Sequence, residues 1–206
     1  MNADVDIINY GMGNLRSVEN AVLKLNFKPK IVLNPDELNS SRRIILPGVG
    51  SFKSAMSLLI EGGWISNLKK NVLENKKPLF GICLGMQLLG TDSEEHGHSE
   101  GLNFIPGKIK SLKNLGCKDK LPQIGWNTVN FKKDHKYIKD IPNLSDFYFV
   151  NSFVFSPLNQ EDLISSTNYG IDFCSIISNK NIFGTQFHPE KSSKIGLKIL
   201  ENFLNA

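Results

Sequence analysis

A cysteine between two glycines is the residue of this chain best placed to act as a nucleophile. The segment Gly81-Ile82-Cys83-Leu84-Gly85 ends a short apolar run and precedes a predicted helix. This order is typical of a nucleophile elbow, a sharp strand-to-helix turn that exposes its central side chain. The backbone N–H of Leu84 would face an oxyanion formed at Cys83, and the helix N-terminus would favour a thiolate. The alternative is an ordinary tight turn around a buried cysteine.

A thiol nucleophile needs a base, and His188 is the best candidate among the four histidines. It follows the apolar run 182–187, and Glu190 comes two residues later, after the rigid Pro189. The Glu190 carboxylate can therefore reach the imidazole and fix its tautomer. The other three histidines lie in charged segments that predict solvated surface: His96, His98 and His135. The alternative for Glu190 is a carboxylate that only caps the closing helix.

The composition argues against several other kinds of site. The 206 residues are 40% hydrophobic and 21% charged, and the net charge of +4 comes from dispersed lysines, which predicts no nucleic-acid surface. Three cysteines without a CxxC pair predict neither a disulfide framework nor a metal site. No apolar run approaches the ~20 residues of a membrane helix, and the first residues do not resemble a secretory signal. A cytoplasmic protein without metal or membrane contact is therefore expected.

The elements that would hold these groups follow one pattern in the first part of the chain. Up to about residue 90, short apolar runs alternate with amphipathic segments, which predicts parallel strands covered by helices on both faces. Helices are predicted after Asn14, which would cap the first one, and over residues 52–74 with an interruption at Gly62-Gly63. The predicted strands of this part are residues 5–9, 31–33, 44–46 and 79–82.

The second part of the chain has another pattern, in which strand-like runs are separated by turn residues. A final helix is predicted near residues 194–204. The predicted strands of this part are residues 109–112, 128–131, 147–150, 163–166, 174–178 and 182–186. No repeat or linker interrupts the chain, so one domain over residues 1–206 is the economical interpretation.

Two longer blocks, residues 78–89 and 183–192, resemble the class I, triad-type glutamine amidotransferases. The two blocks follow each other along the chain in the same order as in that family, and the resemblance spans the whole chain. The resemblance implies a three-layer, flavodoxin-like α/β fold with a mixed, mostly parallel central sheet. It also implies a catalytic triad of Cys83, His188 and Glu190 that hydrolyses glutamine through a thioester, with no cofactor.

Shorter segments are most similar to one group within that family, the glutaminase subunits of imidazole glycerol phosphate synthases. These segments are residues 10–18, 46–52, 125–127 and 189–192. The resemblance implies an oxyanion hole formed by Val49, Gly50 and Leu84. The glutamine-binding positions that it implies are Gly48, Gln87, Asn151, Ser152 and Phe153.

The same resemblance implies a heterodimer with a (β/α)8 barrel synthase subunit. The positions that would face this partner are Met12, Asn14, Trp126 and Lys191. Ammonia released from L-glutamine would pass to the barrel, which makes imidazole glycerol phosphate and AICAR in histidine biosynthesis. The alternative for Met12, Trp126 and Phe153 is that they are ordinary half-buried core residues.

Other functions remain open at this point. Asn9 and Asn151 stand where the family usually has Asp and His, and a divergent copy that supplies ammonia to another acceptor, for example in surface-sugar amidation, would have a similar sequence. A non-catalytic redox or regulatory protein would use Cys83 as an oxidation sensor, but it would need neither His188 nor Glu190. The third alternative is a structural subunit with an inactive site, which a glutamine-like electrophile would fail to label at Cys83.

Overall fold

The computed structural model of this protein describes residues 4–40 and 42–206. The helices in chain order are α1 (Leu15–Lys24), α2 (Phe52–Glu61), α3 (Trp64–Leu68), which continues as a π-helix over Lys69–Glu74, α4 (Leu84–Leu88) and α5 (Ser193–Asn205). The strands are β1 (Val5–Ile8), β2 (Pro29–Val32), β3 (Ile44–Gly48), β4 (Leu79–Cys83), β5 (Asp92–Ser93), β6 (Ser99–Glu100), β7 (Gly107–Ser111), β8 (Gln123–Phe131), β9 (Ser145–Asn151), β10 (Phe153–Pro157), β11 (Leu163–Asn168), β12 (Asp172–Asn179) and β13 (Ile182–Thr185). Short 3-10 turns lie at Pro35–Ser40, Lys136–Ile138, Gln160–Asp162 and Pro189–Lys191.

A nine-stranded mixed sheet in the order β2-β1-β3-β4-β13-β12-β11-β8-β9 forms the middle of the fold. Neighbouring strands from β2 to β13 pair in parallel. Neighbouring strands from β13 to β9 pair antiparallel. The α/β fold with a mixed central sheet that the sequence implied is therefore confirmed.

Each face of the sheet is covered by its own apolar cluster. Alternate residues of β1 point to opposite faces, so Ile7 packs in the cluster with α1 and α5 while Ile8 packs with α2 and α3. This arrangement buries the parallel strands on both sides and makes β4 one of the most enclosed strands, with every residue buried. None of the helices in the described part of the chain has the length and apolarity needed to cross a membrane.

Some elements differ from the sequence-based prediction. The strand predicted over residues 128–131 is longer in the structure and begins at Gln123. The prediction missed its first residues because most of them are exposed or half-buried, so no run of apolar residues marks them. Strands β5, β6 and β10 were not predicted, and together with β7 they form a second, four-stranded sheet in the order β10-β7-β5-β6. Asn14 precedes α1 as predicted, but its side chain makes no capping hydrogen bond within the described residues.

His135 is not the solvated surface residue that its charged neighbours suggested. Its ring stacks on Phe183, with 5.1 Å between the ring centroids. Its Nδ1 accepts a hydrogen bond from the backbone N–H of Tyr137 at 3.2 Å, and its Nε2 lies 3.1 Å from the Ser178 hydroxyl. Burial, together with the charges of Lys136 and Lys133, lowers the pKa of His135 to about 4.

The lowered pKa of His135 predicts an acid-sensitive fold. Between its folded pKa of about 4 and its unfolded pKa of about 6.5, the unfolded chain binds more protons, so stability falls as the pH falls through this window. We expect the free energy of unfolding to drop less between about pH 7 and about pH 5 in His135→Asn than in the wild type. Chemical denaturation at both pH values measures this, with the exposed His96→Asn as control. Equal losses in the wild type and His135→Asn would contradict the assignment.

Candidate active site

Cys83 is the last residue of β4, and α4 begins at the next residue. Its backbone has φ 54° and ψ −110°, which is a strained conformation for a residue with a Cβ. The two flanking glycines allow this turn to pack closely. A Cβ at Gly85 would overlap the carbonyl oxygen of Leu46, and one at Gly81 would lie 2.7 Å from the carbonyl oxygen of Gly85. The backbone around Cys83 therefore has the geometry of a nucleophile elbow.

The strands on either side of β4 bring the other candidate residues to the same edge of the sheet. Gly48 at the end of β3 is in register with Cys83, and Thr185 at the end of β13 is in register with Ile82. The carboxyl ends of parallel strands meet at one edge, which is where such sheets bind ligands. The segment after β3 and the segment after β13 consequently both pass next to Cys83.

His188 and Glu190 form a buried pair beside this edge. The Nδ1 of His188 lies 2.8 Å from Glu190 Oε1, and the two side chains are only 3% and 1% exposed. The backbone of His188 is held in place because its N–H donates to Tyr148 O at 2.9 Å and its carbonyl accepts from Ser192 Oγ at 2.6 Å. Since Glu190 occupies Nδ1, the other ring nitrogen is left to face Cys83, which lines the same cavity as His188. Glu190 thus contacts the imidazole, and the N-cap residue of α5 is Ser192.

The pKa of His188 is raised to about 10. Burial alone would lower it, but hydrogen bonds to Cys83 and Glu190 and the negative charges of both groups have the larger effect. An imidazolium that stays protonated at neutral pH beside the sulfur favours the thiolate form, which is the nucleophile. The same ring can afterwards donate its proton to a leaving group.

A cavity of about 300 Å³ opens onto Cys83 and His188. Its wall includes the three residues expected to form an oxyanion hole and four of those expected to bind glutamine: Val49, Gly50, Leu84, Gln87, Asn151, Ser152 and Phe153. Gly48, the fifth expected glutamine-binding residue, is buried and is not among the described residues that line the cavity. A Cβ there would lie 2.7 Å from the Tyr10 hydroxyl and 2.9 Å from Leu84 Cβ, so the backbone packs closely at this position. The structure therefore gathers these residues around one cavity, with Gly48 supporting its wall.

The segment after β3 and the start of α4 line the cavity together with Cys83. Leu84 is the first residue of α4, so its N–H has no partner within the helix. Gly50 has φ 108°, a conformation that favours glycine. Among the described residues, the buried Tyr10 hydroxyl under this segment has no hydrogen-bond partner, and burial together with the charge of Cys83 raises its pKa. Tyr10 therefore remains a neutral hydroxyl beneath the proposed oxyanion segment.

Two hydrogen-bond acceptors at the cavity suit the ammonium group of a ligand. The Oδ1 of Asn151 is buried and lacks a hydrogen-bond partner within the described part of the chain. Glu95, which the sequence reasoning missed, also lines the cavity, and its Oε2 accepts from the backbone N–H of Phe52 at 2.6 Å. A carboxylate here can attract an ammonium group. No sequence signal marked Glu95, because it lies in a polar loop and only the packing of that loop against α2 brings it to the site.

The positions expected to face a partner differ in exposure. Trp126 is 55% exposed, its ring contacts that of Tyr148 edge-on, and Lys191 Nζ lies 5.9 Å from the centre of the Tyr148 ring. We call Ile124, Trp126, Tyr148 and Lys191 the mouth patch. It adjoins the cavity, because Lys191 and Val150 line the cavity and Val150 pairs with Ile124. Met12 and Phe153 are half-buried and pack against the core, as the alternative interpretation expected, and Asn14 is half-buried at the start of α1.

Solved structures of other proteins share this architecture. PurLQS from Thermotoga maritima superposes with a TM-score of 0.77 over 100% of this chain and 99% of that chain, at 17% identity. A crystal structure described as a glutamine amidotransferase gives a TM-score of 0.76 over 98% of this chain and 97% of that chain, also at 17% identity. At such low identity these similarities show the fold alone.

Sequence comparison identifies the family. Residues 6–206 match the family described as glutamine amidotransferase class-I. The chain is 45% identical over 199 residues to the imidazole glycerol phosphate synthase subunit HisH of Desulfitobacterium hafniense, covering 97% of this chain and 92% of that protein. It is 44% identical over 200 residues to the subunit HisH 2 of Methanococcus maripaludis, covering 97% and 98%. The chain therefore belongs to the class I glutamine amidotransferases, a family of glutamine-hydrolysing enzymes.

Proposed function

We propose that this chain is the glutaminase subunit of an imidazole glycerol phosphate synthase. It hydrolyses L-glutamine to glutamate and passes the ammonia to a (β/α)8 barrel subunit that makes imidazole glycerol phosphate and AICAR in histidine biosynthesis. The observation that carries the chemistry is that Cys83 lines one cavity together with His188, whose ring is paired with the buried Glu190. The relatives that are 40–45% identical over nearly the whole chain and are named as subunits of that synthase support the acceptor.

The first half of the reaction forms a thioester. Glutamine binds with its amide carbon above Cys83, and the thiolate attacks this carbon. The C–N bond breaks while His188 gives its proton to the departing nitrogen, which leaves as ammonia. Glu190 holds the imidazole in the tautomer that faces the sulfur.

The negative charge that develops on the amide oxygen needs hydrogen-bond donors. Leu84, Val49 and Gly50 line the cavity beside Cys83, and their backbone N–H groups are the proposed donors. Loss of one such donor typically costs about 10²–10³ in rate. Alignment of the Val49–Gly50 segment can therefore switch hydrolysis on or off. Hydrolysis of glutamine at the full rate by the chain without its partner would argue against such a switch.

The second half of the reaction releases glutamate. Water gives a proton to His188 and attacks the thioester carbon, and the C–S bond breaks to regenerate the Cys83 thiolate. These steps balance without a metal or organic cofactor.

Ammonia must reach its acceptor before water protonates it, which requires a closed path into a partner. The mouth patch combines apolar and aromatic groups, which are common at the core of protein interfaces, with Lys191 as a charged residue of the kind found at the rim. The patch is therefore the surface on which we place the barrel subunit.

Trp126 is expected to be the main anchor of this contact. Replacing it with Asp puts a charge in the interface centre and should raise the Kd for the barrel subunit by about 30-fold or more, the cost of losing an interface hot spot. Titration calorimetry measures this, with Leu158→Asp as matched control because Leu158 is 65% exposed outside the patch. Wild-type affinity in Trp126→Asp would rule out the mouth patch as the docking surface.

The test of the proposed function is glutamate release from glutamine by the chain alone and with an imidazole glycerol phosphate synthase barrel subunit and its nucleotide substrate. Strong stimulation by the loaded barrel is expected. Absence of stimulation, with Cys83 still labelled by glutamine analogues, would indicate a divergent copy with another acceptor enzyme. Absence of both stimulation and labelling would instead favour an inactive structural subunit.

A further inference from the structure

A chain of buried side-chain amides leads from the cavity wall to the nucleophile. Gln186 is fully buried just after β13, and its Nε2 lies 3.8 Å from Cys83 Sγ. Its Oε1 lies 3.0 Å from the Nε2 of Gln87, and the same nitrogen lies 2.9 Å from the carbonyl oxygen of Phe153. The contacts thus run without a break from the backbone of Phe153 to the sulfur.

The carbonyl of Phe153 fixes the orientation of both amides. A backbone carbonyl only accepts hydrogen bonds, so the end of Gln87 that faces it must be the amino group. That amino group also contacts Gln186, so the facing end of Gln186 must be its oxygen. The amino group of Gln186 is therefore left to point at Cys83 Sγ, as the distances show.

We propose that Gln186 is a further functional residue of the site, which donates an N–H hydrogen bond to Cys83 Sγ and stabilises its thiolate. The proposal rests on the proposed role of Cys83 as nucleophile. Gln186 itself is held rigidly, because its backbone N–H donates to the carbonyl of Ser175 at 2.9 Å. A donor fixed in this way, shielded from water, favours the charged form of its acceptor.

This role differs from that of His188. His188 exchanges a proton with the reacting groups. An amide N–H keeps its proton, so it can only stabilise the charge on the sulfur and hold the Cys83 side chain in position. Gln186 lies on the protein side of the sulfur, in full burial, and Val150 O lies 3.8 Å from the same sulfur. The two contacts define where Sγ sits before glutamine enters.

The test uses the rate of Cys83 alkylation by iodoacetamide as a function of pH, resolved by peptide mass spectrometry. It is measured without glutamine or partner, so its outcome is independent of the glutaminase assay. Gln186→Met keeps the length of the side chain but removes the donor. We expect the midpoint of its alkylation profile to rise by about one pH unit or more relative to the wild type, the size expected for one hydrogen bond to a charged group.

Thr185→Val is the matched control, because Thr185 is equally buried and its hydroxyl donates to Phe187 O instead of the sulfur. Its profile should coincide with that of the wild type. A folded Gln186→Met with the wild-type profile, or an equal shift in Thr185→Val, would overturn the proposal. In addition, kcat for glutamine should fall more than KM rises in Gln186→Met.

A second measurement avoids any variant at position 186. In wild-type chain labelled with ¹⁵N-glutamine, alkylation of Cys83 should shift the side-chain amide signals of Gln186 strongly. Those of Gln160, in the turn Gln160–Asp162, should stay in place. Unchanged Gln186 signals would show that its amide does not contact the sulfur and would overturn the proposal.

Discussion

Replacing Cys83 with Ala is expected to lower the rate of glutamine hydrolysis by about 10⁴-fold or more, as for the loss of a nucleophile in other covalent catalysts. The cavity wall, the oxyanion donors and the His188–Glu190 pair would stay in place, but no thioester could form. The side chain lost is small and 6% exposed, so the fold should survive. Glutamate release from glutamine measures the effect.

The control for Cys83→Ala is Cys117→Ala, because Cys117 is another free cysteine with the same 6% exposure. It should keep wild-type activity. A second control separates a chemical defect from a folding defect. The complex containing Cys83→Ala should still use added ammonium salt, because the partner subunit carries out the acceptor reaction. Substantial glutamine hydrolysis by Cys83→Ala would refute the proposed nucleophile.

Replacing His188 with Asn should lower kcat by about 10²–10⁴-fold, the usual contribution of a general acid–base. In the free chain the pKa of His188 is raised to about 10, so the ring stays protonated through neutral pH and holds a positive charge beside the sulfur. The variant lacks this cation, so its Cys83 alkylation should become slow at about pH 6 and recover only as the pH rises. Alkylation rates and kcat across this pH range measure both effects.

The exposed His98→Asn serves as control for His188→Asn and should leave both quantities unchanged. Glu190→Gln should have a smaller effect than His188→Asn, because it disturbs the orientation of the base without removing it. Wild-type alkylation at acidic pH in His188→Asn would contradict the role that the geometry assigns to this imidazole.

The parts of the site that the sequence could predict are those encoded by short-range patterns. The glycines around Cys83 signal a close-packed turn, and the separation of His188 and Glu190 brings the two side chains together through one 3-10 turn. The parallel strands β3 and β4 are continuous apolar runs with every residue buried, which leave little ambiguity. These local signals were enough to indicate the elbow and the buried pair.

The remaining features depend on contacts between distant residues. Glu95 belongs to a polar loop and reaches the cavity only because the four-stranded sheet places that loop near the start of α2. His135 lies among charged residues, yet its ring packs on Phe183 from a strand far along the chain. Trp126 is exposed whereas Met12 packs against the core. This difference depends on where the sheet places each residue. No local pattern carries this information.

The most direct test of the central claim is to detect the thioester. The chain and the loaded barrel subunit would react with glutamine in two parallel samples, one quenched in acid for peptide mass spectrometry and one containing hydroxylamine. Our account predicts one γ-glutamyl group on the peptide containing Cys83 and γ-glutamylhydroxamate in solution, with both absent from Cys83→Ala. Glutamate release with neither the adduct nor the hydroxamate would show that the amide is hydrolysed without a covalent intermediate, which contradicts the account.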